Sequence, residues 1–233
     1  MSEPVKVDVS AILAPYADRI DTRRIVLETD LLERSGPILT QELPKGHWVL
    51  VSDVNTHRVA GEAVAKSLTE AGVGFEIYTL EPAEGETVPV ANDAKVDALR
   101  QHLVSVGAVA AVAVGAGTIN DVAKMASFKA DIPYAIVATS PSMNGYTSAI
   151  AAILSQGVKV TLPCRAPVAC LADLEVMAQS PYRMIASGFG DLISKPVSNA
   201  DWRLSHRLLG TMHSADTLHL VEQGFALLEG VAS

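Results

Sequence analysis

The chain has 233 residues, of which 26 are acidic and 18 are basic, so its formal net charge is −8. Hydrophobic residues make up 49% and charged residues 19%, which excludes intrinsic disorder and predicts one large domain, or one domain with part of a second. An acidic chain without a basic run is a poor partner for nucleic acid, because phosphate binding needs clustered Lys and Arg.

Cysteine content and uncharged stretches bear on the location of the protein. Cys164 and Cys170 are too few for a disulfide scaffold, so the sequence predicts a reducing, cytoplasmic setting. Residues 1–20 carry charges throughout and lack the apolar run of a signal peptide. The uncharged stretches 103–120 and 132–158 are interrupted by glycine, proline or polar clusters, so no membrane-spanning segment is predicted.

Short apolar runs alternate with helical patterns along the first two thirds of the chain. The runs lie at residues 25–28, 48–52, 75–80, 108–114 and 134–138. Helical spacing of apolar residues continues up to Gly72 and up to Gly107, which are the expected helix ends. This alternation predicts an α/β fold with a Rossmann-like parallel sheet covered on both faces. Residues 158–162 and 168–171 are predicted to add an edge pair.

From Asp173 onward the pattern changes to helices, predicted at 181–195, 197–209 and 216–229. We place a domain boundary near residue 165, between a nucleotide-type α/β domain (1–165) and an all-helical domain (166–233). A helical domain of this size has a small core, and the chain stops in mid-pattern. We therefore expect the helical domain to be partial, truncated at its C-terminus.

The motif VGAGTINDVAK (114–124) follows a predicted strand and opens a predicted helix. Gly115 and Gly117 allow close approach of a ligand to the backbone, and the helix start at Thr118 offers N–H groups to an anion. The motif is not the Rossmann fingerprint, because Asn120 occupies the third glycine position. A tight strand–helix turn without a ligand is the alternative.

The loop ATSPSMNGYTSA (138–149) also follows a predicted strand. Thr139 and Ser140 can donate hydrogen bonds to phosphate or ribose oxygens, and open α/β sheets bind ligands at this edge. An ordinary capped loop with a turn at Asn144 is the alternative. Together, the two loops predict a shared crevice.

A third motif runs from Cys170 to Lys195. Asp173 follows an apolar strand, so its carboxylate either faces the crevice or caps the next helix. Asp191 and Lys195 lie four residues apart, which is the spacing of an ordinary helical ion pair.

Together the three segments resemble the iron-containing alcohol dehydrogenase superfamily, which also includes glycerol dehydrogenase and dehydroquinate synthase. The similarity is greatest to the sn-glycerol-1-phosphate dehydrogenase branch, whose patterns are GGGSxxDxAK, TSPSMDGYAS and ADLxVxxxxPYRMxxxGxGDLxxKxxxxADWRLSH. This chain has GAGTINDVAK, TSPSMNGYTS and ADLEVMAQSPYRMIASGFGDLISKPVSNADWRLSH.

The resemblance implies that the first domain binds NAD or NADP. The implied cofactor-binding residues are Asp53, Gly115, Gly117, Thr118, Asp121, Thr139 and Ser140. Asp53 is expected near the adenosine end of the cofactor, and Gly115, Gly117 and Thr118 at the pyrophosphate.

The resemblance also implies a divalent metal, Zn²⁺ or a similar ion, held by one Asp and two His in the second domain. Asp173 matches the carboxylate ligand, whereas the two histidine positions lie farther along than this chain extends. By this resemblance, the metal would polarise the carbonyl of dihydroxyacetone phosphate, a small phosphorylated ketone, while the reduced nicotinamide supplies the hydride that reduces it. With Asp173 alone, we expect no stable catalytic metal. Asn144, which replaces an Asp of the family pattern, and Lys195 are the implied catalytic residues.

Three functions follow as hypotheses. The first is an NAD(P)- and metal-dependent glycerol-1-phosphate dehydrogenase-like oxidoreductase, present in a short form. The second is a non-catalytic nucleotide-binding or interaction module, which Asn144 and Pro196 favour. The third is a dehydroquinate synthase-like lyase, which the segment DWRLSH disfavours. A homodimer is a further expectation.

Overall fold

A computed structural model describes residues 9–229 of the chain. Eight strands are present in this range. They are β1 (Arg24–Glu28), β2 (His47–Ser52), β3 (Gly74–Thr79), β4 (Ala110–Gly115), β5 (Tyr134–Ala138), β6 (Ile150–Ser155), β7 (Val158–Pro163) and β8 (Ala169–Asp173).

Ten α-helical segments accompany the strands in residues 9–229. They are α1 (Val9–Leu13), α2 (Ser35–Glu42), α3 (Val54–Thr56), α4 (Glu62–Glu70), α5 (Asp93–Ser105), α6 (Gly117–Lys129), α7 (Leu174–Ala178), α8 (Tyr182–Ile193), α9 (Lys195–Leu209) and α10 (Ala215–Glu229). Short 3₁₀ turns occur at Ala14–Tyr16, Leu32–Arg34 and Gly145–Thr147, and a π-helical turn at His57–Gly61 joins α3 to α4.

Six strands form one sheet in the order β1-β8-β5-β4-β2-β3, and every neighbouring pair is parallel. All residues of β4, β5 and β8 are buried, which requires that both faces of the sheet are covered. Helices α4, α5 and α6 make the successive crossovers from β2 to β5. The predicted α/β fold with a parallel sheet is therefore confirmed.

Two glycines end helices where the sequence predicts it. Gly72 follows α4 with φ of 73°, and Gly107 follows α5 with φ of 64°. A residue with a β-carbon is strained in this left-handed conformation, so glycine allows the chain to turn toward the next strand.

The predicted edge pair of residues 158–162 and 168–171 is wrong. Strand β7 instead pairs antiparallel with β6 in a separate two-stranded sheet. Strand β8 lies inside the main sheet, between β1 and β5. The burial patterns explain the difference, because β8 is buried throughout whereas no residue of β7 is fully buried.

The chain divides into two compact units. The first contains the chain up to Pro141 and Gly145–Ser180, and the second contains Ser142–Asn144 and the chain from Pro181 onward. The sheet unit thus extends to Ser180 rather than ending near residue 165, because β8 is one of its internal strands.

The second unit consists of α8, α9 and α10 together with Ser142–Asn144. Within its described residues, Gly188 and Leu218 are the buried positions. Val197, Leu208 and Met212 are instead exposed, at 66%, 72% and 84%. The predicted small core of the helical segment is confirmed. No helix in residues 9–229 combines the length and apolar character needed to cross a membrane.

Candidate functional site

The carboxyl ends of four neighbouring parallel strands meet at one edge of the sheet. Asp53 follows β2, Gly115 ends β4, Thr139 follows β5 and Asp173 ends β8. The backbone N–H of Thr139 donates to the carbonyl oxygen of Gly115 at 3.2 Å, so the two predicted loop starts are adjacent. This confirms the shared edge, which is where open α/β sheets bind ligands.

The start of α6 offers backbone donors at this edge. Helix α6 begins at Gly117, directly after β4, and extends over 13 residues. Its N-cap residue, Ala116, makes no side-chain capping hydrogen bond, and the first turn contains no acidic residue. The first N–H groups of a helix have no partner within the helix, so this terminus favours an anion.

Gly115 is required by packing inside the protein. A β-carbon at Gly115 would lie 2.6 Å from both Cβ and Cγ1 of Ile119, which is too close for carbon atoms. Glycine at this position therefore lets the first turn of α6 lie against the end of β4. The packing reason is separate from contact with a cofactor, and the cofactor role of Gly115 stays a prediction.

Ser140 has an unsatisfied hydroxyl at the same edge. The residue is 2% exposed, and its Oγ has no hydrogen-bond partner among the described residues. Its carbonyl oxygen accepts a hydrogen bond from the Tyr146 hydroxyl at 2.6 Å. The neighbouring carbonyl of Thr139 accepts from Ser180 Oγ at 3.1 Å. A buried hydroxyl without a partner is costly, and a polar ligand at this edge would satisfy it.

Asp53 is oriented by a helix cap. Its Oδ1 accepts the backbone N–H of Thr56 at 2.7 Å, and its own N–H donates to Thr56 Oγ1 at 3.0 Å. This reciprocal capping box starts α3 and fixes the carboxylate at the end of β2. Contact with the adenosine end of a cofactor stays a prediction.

Asp121 is directed toward the β6–β7 hairpin. Its Oδ2 accepts the backbone N–H of Ala152 at 3.2 Å, and its Oδ1 accepts from Asn120 Nδ2 at 3.4 Å. Burial raises the pKa of Asp121, although the charge of Lys124 opposes that shift. The structure thus gives the carboxylate a role in anchoring the hairpin, and its contact with a cofactor stays a prediction. Lys124 is not among the site residues predicted from the sequence. The available signal was its position three residues after Asp121 on a predicted helix, a spacing at which opposite charges interact.

Asn144 and Lys195, the two implied catalytic residues, contact one carboxylate in the second unit. The backbone N–H of Asn144 donates to Asp191 Oδ2 at 2.8 Å, and Lys195 Nζ lies 2.9 Å from Asp191 Oδ1. Partial burial tends to raise the pKa of Asp191, but the hydrogen bonds from Lys195 and Asn144 outweigh it and hold that pKa below its ordinary value. The sequence indicated the ion pair between Asp191 and Lys195, but it did not indicate the hydrogen bond from Asn144.

Asp173 has structural partners on both carboxylate oxygens. The residue is 4% exposed. Its Oδ2 accepts the N–H of Leu31 at 2.7 Å, and its Oδ1 accepts the N–H groups of Glu175 and Val176 at 2.9 and 3.4 Å. Asp173 is therefore the N-cap of α7 and also ties α7 to the segment before α2.

The metal implied by the resemblance does not fit the described residues alone. In residues 9–229, no group of three or more His, Cys, Asp or Glu side chains is placed to hold an ion. His206 and His213 stack with ring centroids 5.2 Å apart, but they are not part of such a group. Catalytic zinc sites normally use three protein ligands, so the required set is not found in this part of the chain.

Comparison with known proteins supports the resemblance. The family model for iron-containing alcohol dehydrogenase matches residues 26–181. The glycerol-1-phosphate dehydrogenase [NAD(P)+] of Bacillus subtilis (strain 168) is 36% identical over 180 residues, which cover 77% of this chain and 45% of that protein. The protein with the same description from Pyrococcus horikoshii is 32% identical over 192 residues, covering 82% and 53%.

Solved structures share the fold. Glycerol dehydrogenase from Schizosaccharomyces pombe aligns with a TM-score of 0.64 at 22% identity, over 76% of this chain and 43% of that one. An iron-containing alcohol dehydrogenase from Thermotoga maritima aligns with a TM-score of 0.65 at 16% identity, over 76% and 52%. The chain spans about half the length of the curated relatives it matches. By sequence and by fold, the chain belongs to the iron-containing alcohol dehydrogenase family.

Proposed function

We propose that the first unit binds NAD or NADP across the carboxyl edge of the sheet. The observation that carries this proposal is the uncapped start of α6 together with the Ser140 hydroxyl at the same edge of the sheet, which no residue in 9–229 hydrogen-bonds. A dinucleotide supplies a diphosphate for the first and a polar acceptor or donor for the second. The relatives described as glycerol-1-phosphate dehydrogenase [NAD(P)+] support the same cofactor.

Five of the seven predicted cofactor residues have a place in this proposal. The pyrophosphate would bind the backbone N–H groups at Gly117 and Thr118. Thr139 and Ser140 would contact the cofactor beside it, and Asp53 would lie toward the adenosine. When bound, the reduced nicotinamide supplies a hydride. The residues of this chain bind and orient it.

We further propose that this chain is part of a glycerol-1-phosphate dehydrogenase-like oxidoreductase acting on a small phosphorylated ketone or polyol. The support is the family membership together with the activity in the relatives' descriptions. Asn144 and Lys195, which both contact Asp191, would be its catalytic residues. A cytoplasmic location and a homodimer stay predictions.

For the family's metal, whose expected ion is Zn²⁺, we propose Asp191 rather than Asp173 as the carboxylate that this chain contributes. The side chain of Asp191 is 30% exposed, and its lowered pKa keeps it ionised, whereas Asp173 is buried and occupied by three backbone donors. Since residues 9–229 contain no group of three such side chains, at least one further ligand would come from outside that range. Metal-assisted hydride transfer would therefore need ligands in addition to those in residues 9–229.

A non-catalytic dinucleotide-binding module is the second candidate. The observation that favours it is the failure of residues 9–229 to assemble a metal-ligand set. The two candidates differ in turnover, so oxidation of NADH with dihydroxyacetone phosphate and added Zn²⁺ separates them. Turnover supports the dehydrogenase, and binding without turnover supports the module.

Titration of the whole chain with NADH and NADPH tests cofactor binding. We expect saturable binding to the wild type and its loss in Gly117→Val, because a branched side chain would enter the space of the pyrophosphate. Gly224→Val is the control, since no atom of the part of the chain that the structure describes lies within 4 Å of a β-carbon at that position in α10. A folded wild type that binds neither nucleotide would refute the proposal.

A further inference from the structure

Lys124 is a buried cation that the proposed chemistry does not use. The residue is 0% exposed, and within residues 9–229 no other Lys, Arg or His is buried. Its Nζ donates to the carbonyl of Ile150 at 3.0 Å, to Ser148 Oγ at 3.1 Å and to the carbonyl of Gly145 at 3.4 Å. An ammonium group has three donors, and each has an acceptor here.

Two of the acceptors, Gly145 and Ser148, lie on the segment that joins β5 to β6, and the third, Ile150, is the first residue of β6. This segment starts with Thr139 and Ser140 and forms a 3₁₀ turn at Gly145–Thr147 before β6 begins. Ser148 Oγ also donates to the Gly145 carbonyl at 2.8 Å, which tightens the turn. Lys124 therefore closes the end of the segment, while the Tyr146 hydroxyl binds the Ser140 carbonyl near its start.

Burial of this ammonium group is unfavourable by itself. Burial lowers the pKa of Lys124, and the negative charge of Asp121, one turn earlier on α6, partly restores it. Because a whole buried ion pair can often be replaced by apolar side chains of similar volume without loss of stability, a buried charge is weak evidence for a stabilising role. Lys124 is thus poorly explained by stability alone, whereas its three directed hydrogen bonds specify one conformation of the segment.

We propose that Lys124 is a positioning residue that clamps the 145–150 segment and thereby sets the placement of Ser140 at the cofactor edge. The inference rests on the proposed dinucleotide binding. The clamp acts through Tyr146, which lies inside the turn that Lys124 holds and bonds to the Ser140 backbone. Lys124 itself does not touch the cofactor.

Lys124→Met tests the clamp, because methionine keeps the length of the side chain and removes all three donors. Lys129→Met, on the same helix, is the matched control, since Lys129 makes an exposed ion pair with Asp97 at 3.1 Å. Both variants of the full chain are compared with the wild type by thermal unfolding, by NADH titration and by hydrogen–deuterium exchange of residues 145–152.

We expect Lys124→Met to stay folded, to exchange faster over 145–152 and to bind NADH about tenfold more weakly, because the site has lost preorganisation. Lys129→Met should leave exchange and affinity unchanged. Lys124→Gln, which retains an N–H donor, should recover part of the affinity. If Lys124→Met does not fold, Ser148→Ala removes one acceptor and should shift exchange and affinity in the same direction.

The outcomes separate the clamp from the proposed function. Unchanged exchange in Lys124→Met would overturn the clamp. Faster exchange with unchanged NADH affinity would overturn the positioning role. If the folded wild type does not bind NADH, the proposed function and the positioning role fail together, and the exchange data still decide whether Lys124 clamps the segment.

Discussion

The backbone N–H of Thr139 donates a hydrogen bond to the carbonyl oxygen of Gly115 across a distance of 3.2 Å. This bond continues the β4–β5 ladder one residue past the Gly115–Ala138 pair. It therefore brings the loop after β5 to the start of α6, so that the hydroxyl-bearing segment and the helix terminus share one edge.

Gly115→Ala should destabilise the protein by about 1–3 kcal/mol, the usual cost of overpacking a tight core. The new methyl group would lie 2.6 Å from Ile119, so β4 and α6 would have to separate. Urea unfolding measures the change. Gly190→Ala is the control, because within residues 9–229 nothing lies within 4 Å of the added β-carbon. Equal stability of the two variants would contradict the packing role of Gly115.

Asp173→Asn should cost about 2–3 kcal/mol of unfolding free energy, because charged acceptors bind backbone donors strongly and the new amide cannot serve all of them. Asp173 accepts three backbone N–H groups in a buried position. Asp191→Asn should cost clearly less, since its partner Lys195 is partly exposed. Chemical denaturation of both variants checks the order, and the reverse order would argue against Asp173 as a structural cap.

The amide signal of Asn144 should report the ionisation of Asp191. The lowered pKa of Asp191 predicts a titration midpoint below the ordinary aspartate value of 3.8. A depressed folded-state pKa contributes stability above the unfolded-state pKa and loses it as the pH falls through the folded value. An NMR pH titration measures the midpoint, and Lys195→Met should move it upward. A midpoint above 3.8 in the wild type would exclude this charge arrangement.

Both thiols should resist alkylation in the folded protein. Burial raises the pKa of Cys164 to about 11 and that of Cys170 to about 12. Since the thiolate is the nucleophile, iodoacetamide at pH 8 should label the native chain far more slowly than the chain in urea. The raised values also predict stability that is present below the ordinary thiol pKa of 9.0 and is lost as the pH rises through 11. Rapid native labelling, read by mass spectrometry, would disprove the burial argument.

The sequence by itself determined the strands of the parallel sheet and the turns that follow them. Residues 48–52 and 134–138 are predicted to be strands, and they form β2 and β5. Uninterrupted apolar runs of this length must be buried on both faces, and glycine after a helix marks its end. The role of Asp173 as a helix N-cap was one of the two alternatives that its position in the sequence indicated. The small core of the helical segment follows from its short length and composition.

Only the tertiary structure decided which elements are neighbours. The apolar run at 168–171 indicates a buried strand, but it does not indicate which strands are its neighbours. In the structure this run forms most of β8, which lies between β1 and β5. The same holds for side chains: Asp191 meets Asn144 from 47 residues away, and Lys124 meets Ile150 from 26 residues away. Hydrogen-bond partners so distant in sequence depend on how the sheet and helices pack, and no local pattern encodes that packing.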